Sequence, residues 1–506
     1  MTLPLSYTLE DAISETKFGK FNHFLIALSG LILACGMYEA TSITLIFPIA
    51  QCELQMTNFH KGLLGSVGFI GIILSSHFWG FLADTRGRKK IIVNALLLAS
   101  FFSLCSTFAK NFWILAFFRL IVGFCICAPQ GIIYAFLGEF HSSKHRARVL
   151  IIASVIYGIS CLLTSLNALL FLNQETWNIF IPFLNLNYSA WRIFILISSV
   201  PNIISAILMI FFIPESPKFT YAQGDEIGTL NILKRIYICN TGREDYAVKS
   251  LIKEKEFEDA NNVRKCSFFK FMWSQTVPLF NRSNIKNTMT ACYLQFGLCF
   301  ASNGYWIFFP EITNKVLIWL ENDSSHTTAT ICNIISTFDF ENNSTVAENI
   351  PTTCVKKLEM ETLKNIALLS ILYSCGWFLM SIIIDKTGKL AIIVFIAFSC
   401  GIASIFIMFL QIPQAALYVY LVLLSAGLNM SVVNTSTVEL FPTTLRAMAV
   451  SISMMFGRVG SVVGSNFVGL TIRNFCTYTF IVPAVLLISG GFLAFTIPNI
   501  NKREKK

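Results

Sequence analysis

Residues 80–90 read GFLADTRGRKK and lie between two long apolar runs, KGLLGSVGFIGIILSSHFW (61–79) and IIVNALLLASFFSLCSTFA (91–109). An apolar helix that ends near Asp84, spills Arg86, Arg88, Lys89 and Lys90 into a tight turn and then resumes describes two membrane crossings joined by a short basic loop. Composition agrees. Of 506 residues 55% are hydrophobic and only 13% charged, whereas a soluble chain carries about a quarter charged residues. Twelve apolar stretches recur, at 22–48, 60–82, 90–108, 112–137, 147–171, 191–213, 288–311, 364–384, 390–411, 415–437, 447–471 and 475–497. Each is long enough to cross a hydrocarbon core of roughly 30 Å as a helix. The opening MTLPLSYTLEDAISETKFGK is polar and lacks the charged-then-apolar pattern of a cleavable signal, so the first helix is expected to anchor itself. The expectation is an all-α, multi-pass protein embedded in a lipid bilayer.

Basic residues set the orientation. With both termini cytosolic, the short inner loops and tails gather Arg86, Arg88, Arg146, Lys389 and the terminal KREKK, while the short outer loops hold Lys61, Lys110, Arg192 and Arg473. That asymmetry accounts for the net charge of +10 without a nucleic-acid partner. Two longer loops interrupt the pattern. Residues 214–286 are charged and partly amphipathic, consistent with short helices on the cytosolic surface linking two six-helix halves. Residues 312–363 are polar, face outward, and carry glycosylation acceptors at Asn322, Asn342 and Asn343. They also carry Cys332 and Cys354, which share an oxidising loop and are expected to form a disulfide, with Cys52 as competitor. The organisation is therefore 1–213 (tail and first half), 214–286 (linker), 287–499 (second half with loop 312–363) and 500–506 (basic tail).

The halves repeat each other. Asp84 recurs as Asp385 in SIIIDKTGKL, and Glu139 and Arg146 (EFHSSKHR) recur as Glu439 and Arg446 (ELFPTTLR). Pro214 and Glu215 close the sixth helix as Pro498 and Asn499 close the twelfth. Two units related this way are the duplicated plan of many alternating-access transporters.

At these residues the chain resembles the major facilitator superfamily: G-x-x-x-D-x-x-G-R-K after helix two, Arg119-x-x-x-Gly123 in helix four, PESPKF at 214–219, and ELFPTTLR at 439–446. The last two are typical of its sugar-porter, organic-ion and synaptic-vesicle-glycoprotein branches. The large outer loop between helices seven and eight, and FGLCFASNGYWIFFPEI (296–312), look like the synaptic vesicle glycoprotein 2 group. The resemblance implies twelve helices in two pseudo-symmetric halves and a cytosolic gate in which Arg88 meets Glu139 and Glu215, with Asp84 and Arg146 completing the cluster. Asp84 is expected to accept from backbone N–H groups opening a neighbouring helix. In the second half Asp385, Lys389, Glu439 and Arg446 hold the matching positions, but Ser381, Lys389 and Asn499 depart from the pattern, and lysine cannot make arginine's two-pronged contact.

Charges within the spans are costly and tend to be functional. Glu39 and Arg119 lie at similar depth below the outer surface, as a static ion pair, a proton-coupling site or a solute contact. Arg458, near mid-membrane in helix eleven, has no acid at its depth in the second half; it either snorkels or meets an anionic solute. Tyr305, Trp306, Phe308 and Phe309 either line a cavity or pack against neighbours. His141 and His145 stand four apart but occupy the basic turn, so no metal is assigned, and His77 is taken as a core residue. No phosphate-cradling glycine loop, nucleophile–base arrangement or cofactor motif is present, which argues against an ATP-driven pump and an enzyme. Two functions remain. One is a secondary carrier, expected to be monomeric, of a small organic solute, an anion favoured, with protons as a candidate coupling ion. The other is a transporter-like glycoprotein serving as an interaction partner at a vesicle or plasma membrane.

Overall fold

The computed structural model describes residues 7–172, 179–182, 186–252, 273, 276–322, 328–336, 360–441, 445–473 and 475–496. Asn342, Asn343, Cys354 and the 500–506 tail lie outside these residues, as do the side chains of Cys52, Asn322, Asp385, Glu439 and Arg446.

The first half begins with a short helix α1 (Leu9–Glu15), then α2 (Lys20–Glu53), α3 (Asn58–Arg86), α4 (Arg88–Thr107), α5 (Phe112–Glu139) and α6 (Ser143–Phe171). A small antiparallel hairpin, β1 (Ile179–Ile181) and β2 (Leu186–Tyr188), precedes α7 (Ala190–Phe212). The linker contributes α8 (Pro217–Ala222) and α9 (Glu226–Thr241), as its amphipathic pattern suggests. The second half comprises α10 (Ile285–Trp306), α11 (Phe309–Asn322), α12 (Met360–Thr387), α13 (Lys389–Phe409), α14 (Pro413–Leu424), α15 (Asn429–Leu440), α16 (Arg446–Thr471) and α17 (Cys476–Ala494). Ten of these crossings are long and apolar enough to span on their own measure; α6 and the α10–α11 pair complete the twelve.

Two crossings are broken. The seventh is interrupted by a two-residue turn after Trp306 and resumes at Phe309 as α11 to Asn322, beyond the helix end at 311 read from hydropathy. The tenth is interrupted by a 3-10 turn at Ser425–Leu428. Pro48, Pro129, Pro201 and Pro483 sit inside other helices, where neighbouring helices and side chains can take up the freed backbone groups.

The repeat is visible in the backbone. Gly87 joins α3 to α4 at φ 103, and Gly388 joins α12 to α13 at φ 82. Both need the left-handed region that a side chain disfavours, so the same turn is built twice. We call the end of the bundle that bears Gly87 the basic face. The halves meet along two seams, α3 against α16 and α6 against α12. On the first seam the backbones nearly touch: a Cβ added to Gly62 would lie 2.8 Å from the Ser465 carbonyl oxygen.

The disulfide differs from expectation. Cys332 pairs with Cys476, with 5.7 Å between their Cα atoms, and Cys354 lies outside the described residues. Cys476 falls within the last apolar stretch, 475–497, and is the first residue of α17, at the loop end opposite the basic face. The 331–336 helical segment is held near it, the Ala329 N–H donating to Gln411 O at 2.8 Å. Peptide mapping without reduction should yield a Cys332–Cys476 cross-link that survives Cys354→Ser and vanishes in Cys476→Ser. Losing it should cost about 2–5 kcal/mol of stability. Recovery of a Cys332–Cys354 peptide would refute the pairing.

Candidate functional site: a central cavity between two halves

Between the halves lies a cavity of about 330 Å³, lined by α2, α3, α5, α10, α12 and α16. Helical periodicity builds its second-half wall: Gln295, Cys299, Ser302, Asn303 and Trp306 fall on one stripe of α10, and Met454, Arg458 and Ser461 on one stripe of α16. Asn303 Nδ2 donates to Ser461 Oγ at 3.0 Å, tying the stripes together. Gln295 Oε1 and Ser302 Oγ are buried there with no hydrogen-bond partner among the described residues.

The first-half wall carries the charged pair. Arg119 donates to Glu39 Oε2 at 2.8 Å, with the two side chains only 4% and 3% exposed. Glu39 also accepts from Ser103 Oγ at 3.1 Å and Asn202 Nδ2 at 3.0 Å. Arg119 donates in turn to Ser106 Oγ at 2.9 Å. Helices α2, α4, α5 and α7 thus converge on one carboxylate. Arg119 Nε and Asn202 Oδ1 stay unpartnered. Breaking such a buried pair from one side costs about 3–5 kcal/mol because it strands the other charge.

Arg458 has no such partner. No carboxylate pairs with it among the described residues, and its neighbours include the thiols of Cys127 and Cys299 and the His77 ring. The charged residues lining the cavity are therefore Glu39, Arg119 and Arg458, which leaves one uncompensated positive charge. Trp306 lines the cavity, edge to face with Tyr373 at 5.9 Å. Tyr305 does not; of the two readings, packing against neighbours is the one that holds for it. It is fully buried behind the wall, its hydroxyl donating to Thr479 O and its carbonyl accepting from Tyr420 Oη at 3.0 Å. The 100° step of the helix between adjacent residues explains the split. Phe308 and Phe309 are buried as well, Phe309 stacking on Tyr420 at 5.6 Å.

The basic-face cluster forms in part as expected. Arg88 pairs with Glu139 and, at 3.3 Å, with Asp84. Three assignments change. Glu215 accepts from the backbone N–H groups of Arg88 and Lys89, both at 3.0 Å, and so caps α4, the role expected of Asp84. Gly87 leaves room for it, since a Cβ there would stand 2.6 Å from Glu215 Oε2. Asp84 is mostly exposed and among the described residues holds the Arg88 side chain, a contact worth about 0–1 kcal/mol. Arg146 turns away from the cluster to Glu10 of α1 at 3.0 Å, with its Nε donating to Gly138 O at 3.0 Å. The ion pairs found at this face join residues of the first half and its terminal helix. Lys389 opens α13 at the corresponding second-half position.

Sequence reasoning missed the charges at the opposite face. Lys61 and Arg192 were counted as outer-loop charges, yet both are buried. Arg192 donates to Thr107 O at 2.5 Å, Ala109 O at 2.8 Å and Glu53 Oε1 at 2.5 Å, and lies over the Trp191 ring. Lys61 crosses the seam to Glu311 of α11 at 2.6 Å, the side chains 3% and 9% exposed. Beside it, Asn466 Nδ2 donates to Ser66 Oγ at 2.9 Å. A charged residue within three positions of a helix end, facing a small-residue stripe, was the available signal.

Two six-helix halves enclose a largely apolar cavity that carries three charged residues, and comparison with known proteins gives the family. The Major Facilitator Superfamily matches residues 29–436, and the chain belongs to it. Human synaptic vesicle glycoprotein 2B is 23% identical over 326 residues, covering 61% of this chain and 47% of the relative. A human protein designated SVOPL is 25% identical over 481 residues, covering 91% and 85%. The chain spans about half the length of the synaptic vesicle glycoproteins it matches. The E. coli xylose transporter XylE, in a partially occluded inward-open state, superimposes with TM-score 0.62 at 12% identity over 94% of this chain and 98% of that one. A bacterial homologue of the human lysosomal transporter Spinster gives 0.59 at 14%, covering 95% and 98%. These likenesses establish a shared fold.

Because Lys61–Glu311 joins the halves, opening the opposite face must break it. A cysteine placed at Ser302 in a Cys299→Ser background should react with an impermeant maleimide from that face about tenfold faster in Glu311→Gln, a change of ~1.4 kcal/mol, well within what a broken buried pair releases. The swap Lys61→Glu/Glu311→Lys should restore the slow rate. Equal rates throughout would exclude a gating role.

Proposed function

We propose that this chain is a secondary-active carrier that moves a small organic anion by alternating access, with its basic face toward the cytosol. The supporting observation is Arg458: a cation in the central cavity, facing thiols and an imidazole rather than a carboxylate. An ion held in low dielectric without a counter-charge is expensive, and a visiting carboxylate or sulfate removes that expense. Trp306 and Tyr373 supply apolar surface beside the cation, and Gln295 and Ser302 offer unused hydrogen-bonding groups for a polar substituent. The basic turns argue for the orientation.

Glu39 supports a structural role first. Its donors Arg119, Ser103 and Asn202 all belong to the first half, so rocking of one half against the other leaves them together. Proton coupling is the second reading, favoured by the position of Glu39 and Arg119 on the cavity wall.

In proteoliposomes, Arg458→Ala should raise KM for an anionic solute at least about tenfold while changing that for a neutral analogue less than twofold, since one fully desolvated charged contact is worth roughly 1.5–3 kcal/mol. Equal effects on both solutes would remove the anion preference, and no uptake across a panel of anions, cations and sugars would favour a non-transporting glycoprotein. A separate measurement addresses Glu39. If it carries the coupling proton, Glu39→Gln abolishes accumulation driven by a pH gradient but preserves exchange. Retained pH-driven accumulation assigns Glu39 to the scaffold.

A further inference from the structure

On the basic face, outside the central cavity, α2 and α6 enclose a groove of about 480 Å³ lined by Phe18, His23, Ile26, Ala27, His145, Arg148, Val149, Ile152 and Ile156. Its composition is graded along the bundle. The end nearest the basic turns carries His23, His145 and Arg148, and the walls running into the membrane-spanning part are Ile26, Ala27, Val149, Ile152 and Ile156. No carboxylate is among the lining residues. Phe18 forms the floor of the polar end, its ring 5.1 Å from that of His23 and 5.4 Å from that of His145. Lys17 and Lys20, exposed on either side of the Phe18–Gly19 corner, add to the positive rim.

A second feature favours an anion at the same place. The groove's polar end lies at the first two turns of α6, a 29-residue helix whose N-cap Ser142 makes no side-chain capping bond. The N–H groups opening a helix carry partial positive charge and bind phosphate or carboxylate. Arg148 is exposed and makes no ion pair among the described residues, whereas Arg146, two positions earlier, is held by Glu10. Sequence reading assigned this basic turn to membrane orientation and, for Arg146, to the gate cluster. Orientation requires cations near the face, but not their collection at the mouth of an apolar groove.

We propose that this groove binds one anionic phospholipid of the leaflet on the basic face. Its phosphate sits against Arg148, His145 and the N-terminus of α6, and one acyl chain lies along Ile26, Ala27, Val149, Ile152 and Ile156. A free phosphate would satisfy the rim but leave the apolar walls empty; a zwitterionic lipid would fill the walls but carry no net charge to the rim. Since α2 also carries Glu39 into the cavity, the lipid is placed to steady the helix that bears the charged pair.

The test uses the full chain purified in detergent, titrated with phosphatidylglycerol, with phosphatidylcholine of the same acyl chains, and with inorganic phosphate, followed by native mass spectrometry and thermal unfolding. Phosphatidylglycerol should bind in a one-to-one complex and raise the melting temperature, while the other two do neither. Arg148→Ala should weaken phosphatidylglycerol binding about fivefold, the usual contribution of one cation facing an anionic leaflet. Ala27→Trp, which fills the groove and keeps every cation, should weaken it at least as much. Arg243→Ala, an exposed cation elsewhere on this face, should leave it unchanged. Equal binding of both lipids, the same stabilisation by inorganic phosphate, or wild-type affinity in both groove variants would each overturn the proposal.

Discussion

A charge inside a membrane-spanning bundle is costly, and partners from the protein itself lower that cost. The Glu39–Arg119 pair is where this chain meets that constraint most fully. Glu39 alone would be an unsupported carboxylate in low dielectric; with Arg119, Ser103 and Asn202 around it, four helices of the first half are pinned to one point. The geometry demands small residues nearby. Arg119-x-x-x-Gly123 is one such device: a Cβ on Gly123 would stand 2.2 Å from the Gly68 carbonyl oxygen, so the glycine lets α3 close on α5 beside the arginine. Interhelical packing and the buried pair therefore reinforce each other, since in lipid the close approach of backbones replaces the hydrophobic force that drives a soluble core.

The polar ties differ in which parts they join, some staying within one half and others crossing between the halves. Arg88–Glu139, Glu53–Arg192 and Glu39–Arg119 each connect helices of one half. Moving the halves as rigid bodies leaves all three intact. Lys61–Glu311 and Ser66–Asn466 connect different halves. They lie where α3 and α16 approach across Gly62, and where the seventh crossing breaks between Trp306 and Phe309. The interruption places Glu311 on α11, apart from the α10 stripe that faces the cavity.

Much of this was legible in the sequence. Hydropathy located the crossings, and the recurrence of Asp84 as Asp385 announced a duplicated turn that the backbone repeats at Gly87 and Gly388. Depth arithmetic placed Glu39 beside Arg119. What was not legible follows from direction rather than distance. Hydropathy does not tell which face of a helix a residue occupies, so Tyr305 and Trp306 could not be separated. Loop membership does not fix a disulfide, because Cys476 sits at a helix start that sequence alone makes part of a span. Counting Lys61 and Arg192 as loop charges overlooked that a helix end can be buried by its neighbours. Arg146 found Glu10 because an amphipathic segment before the first crossing folds back onto the linker, with Leu9, Ala12 and Ile13 packed against Leu233 and Leu251.

The two halves share a fold but divide its charges unequally, and the proposed carrier function rests on that inequality. In the first half the cavity-facing arginine is neutralised by an acid one helix away; in the second, Arg458 occupies the corresponding wall with no acid opposite it. A fully compensated cavity would bind neutral solutes by hydrogen bonds and shape, and would gain little from a solute's charge. Under the proposed function the cation left over is what an anion would answer, and its arrival would be felt by both halves, because Arg458 of α16 lies near Cys127 and His77 of the first half. Screening across the interface is then part of solute binding itself. On that proposal, a solute that neutralises Arg458 would make it less costly for the two walls to close around it, the step alternating access would require before Lys61 and Glu311 part.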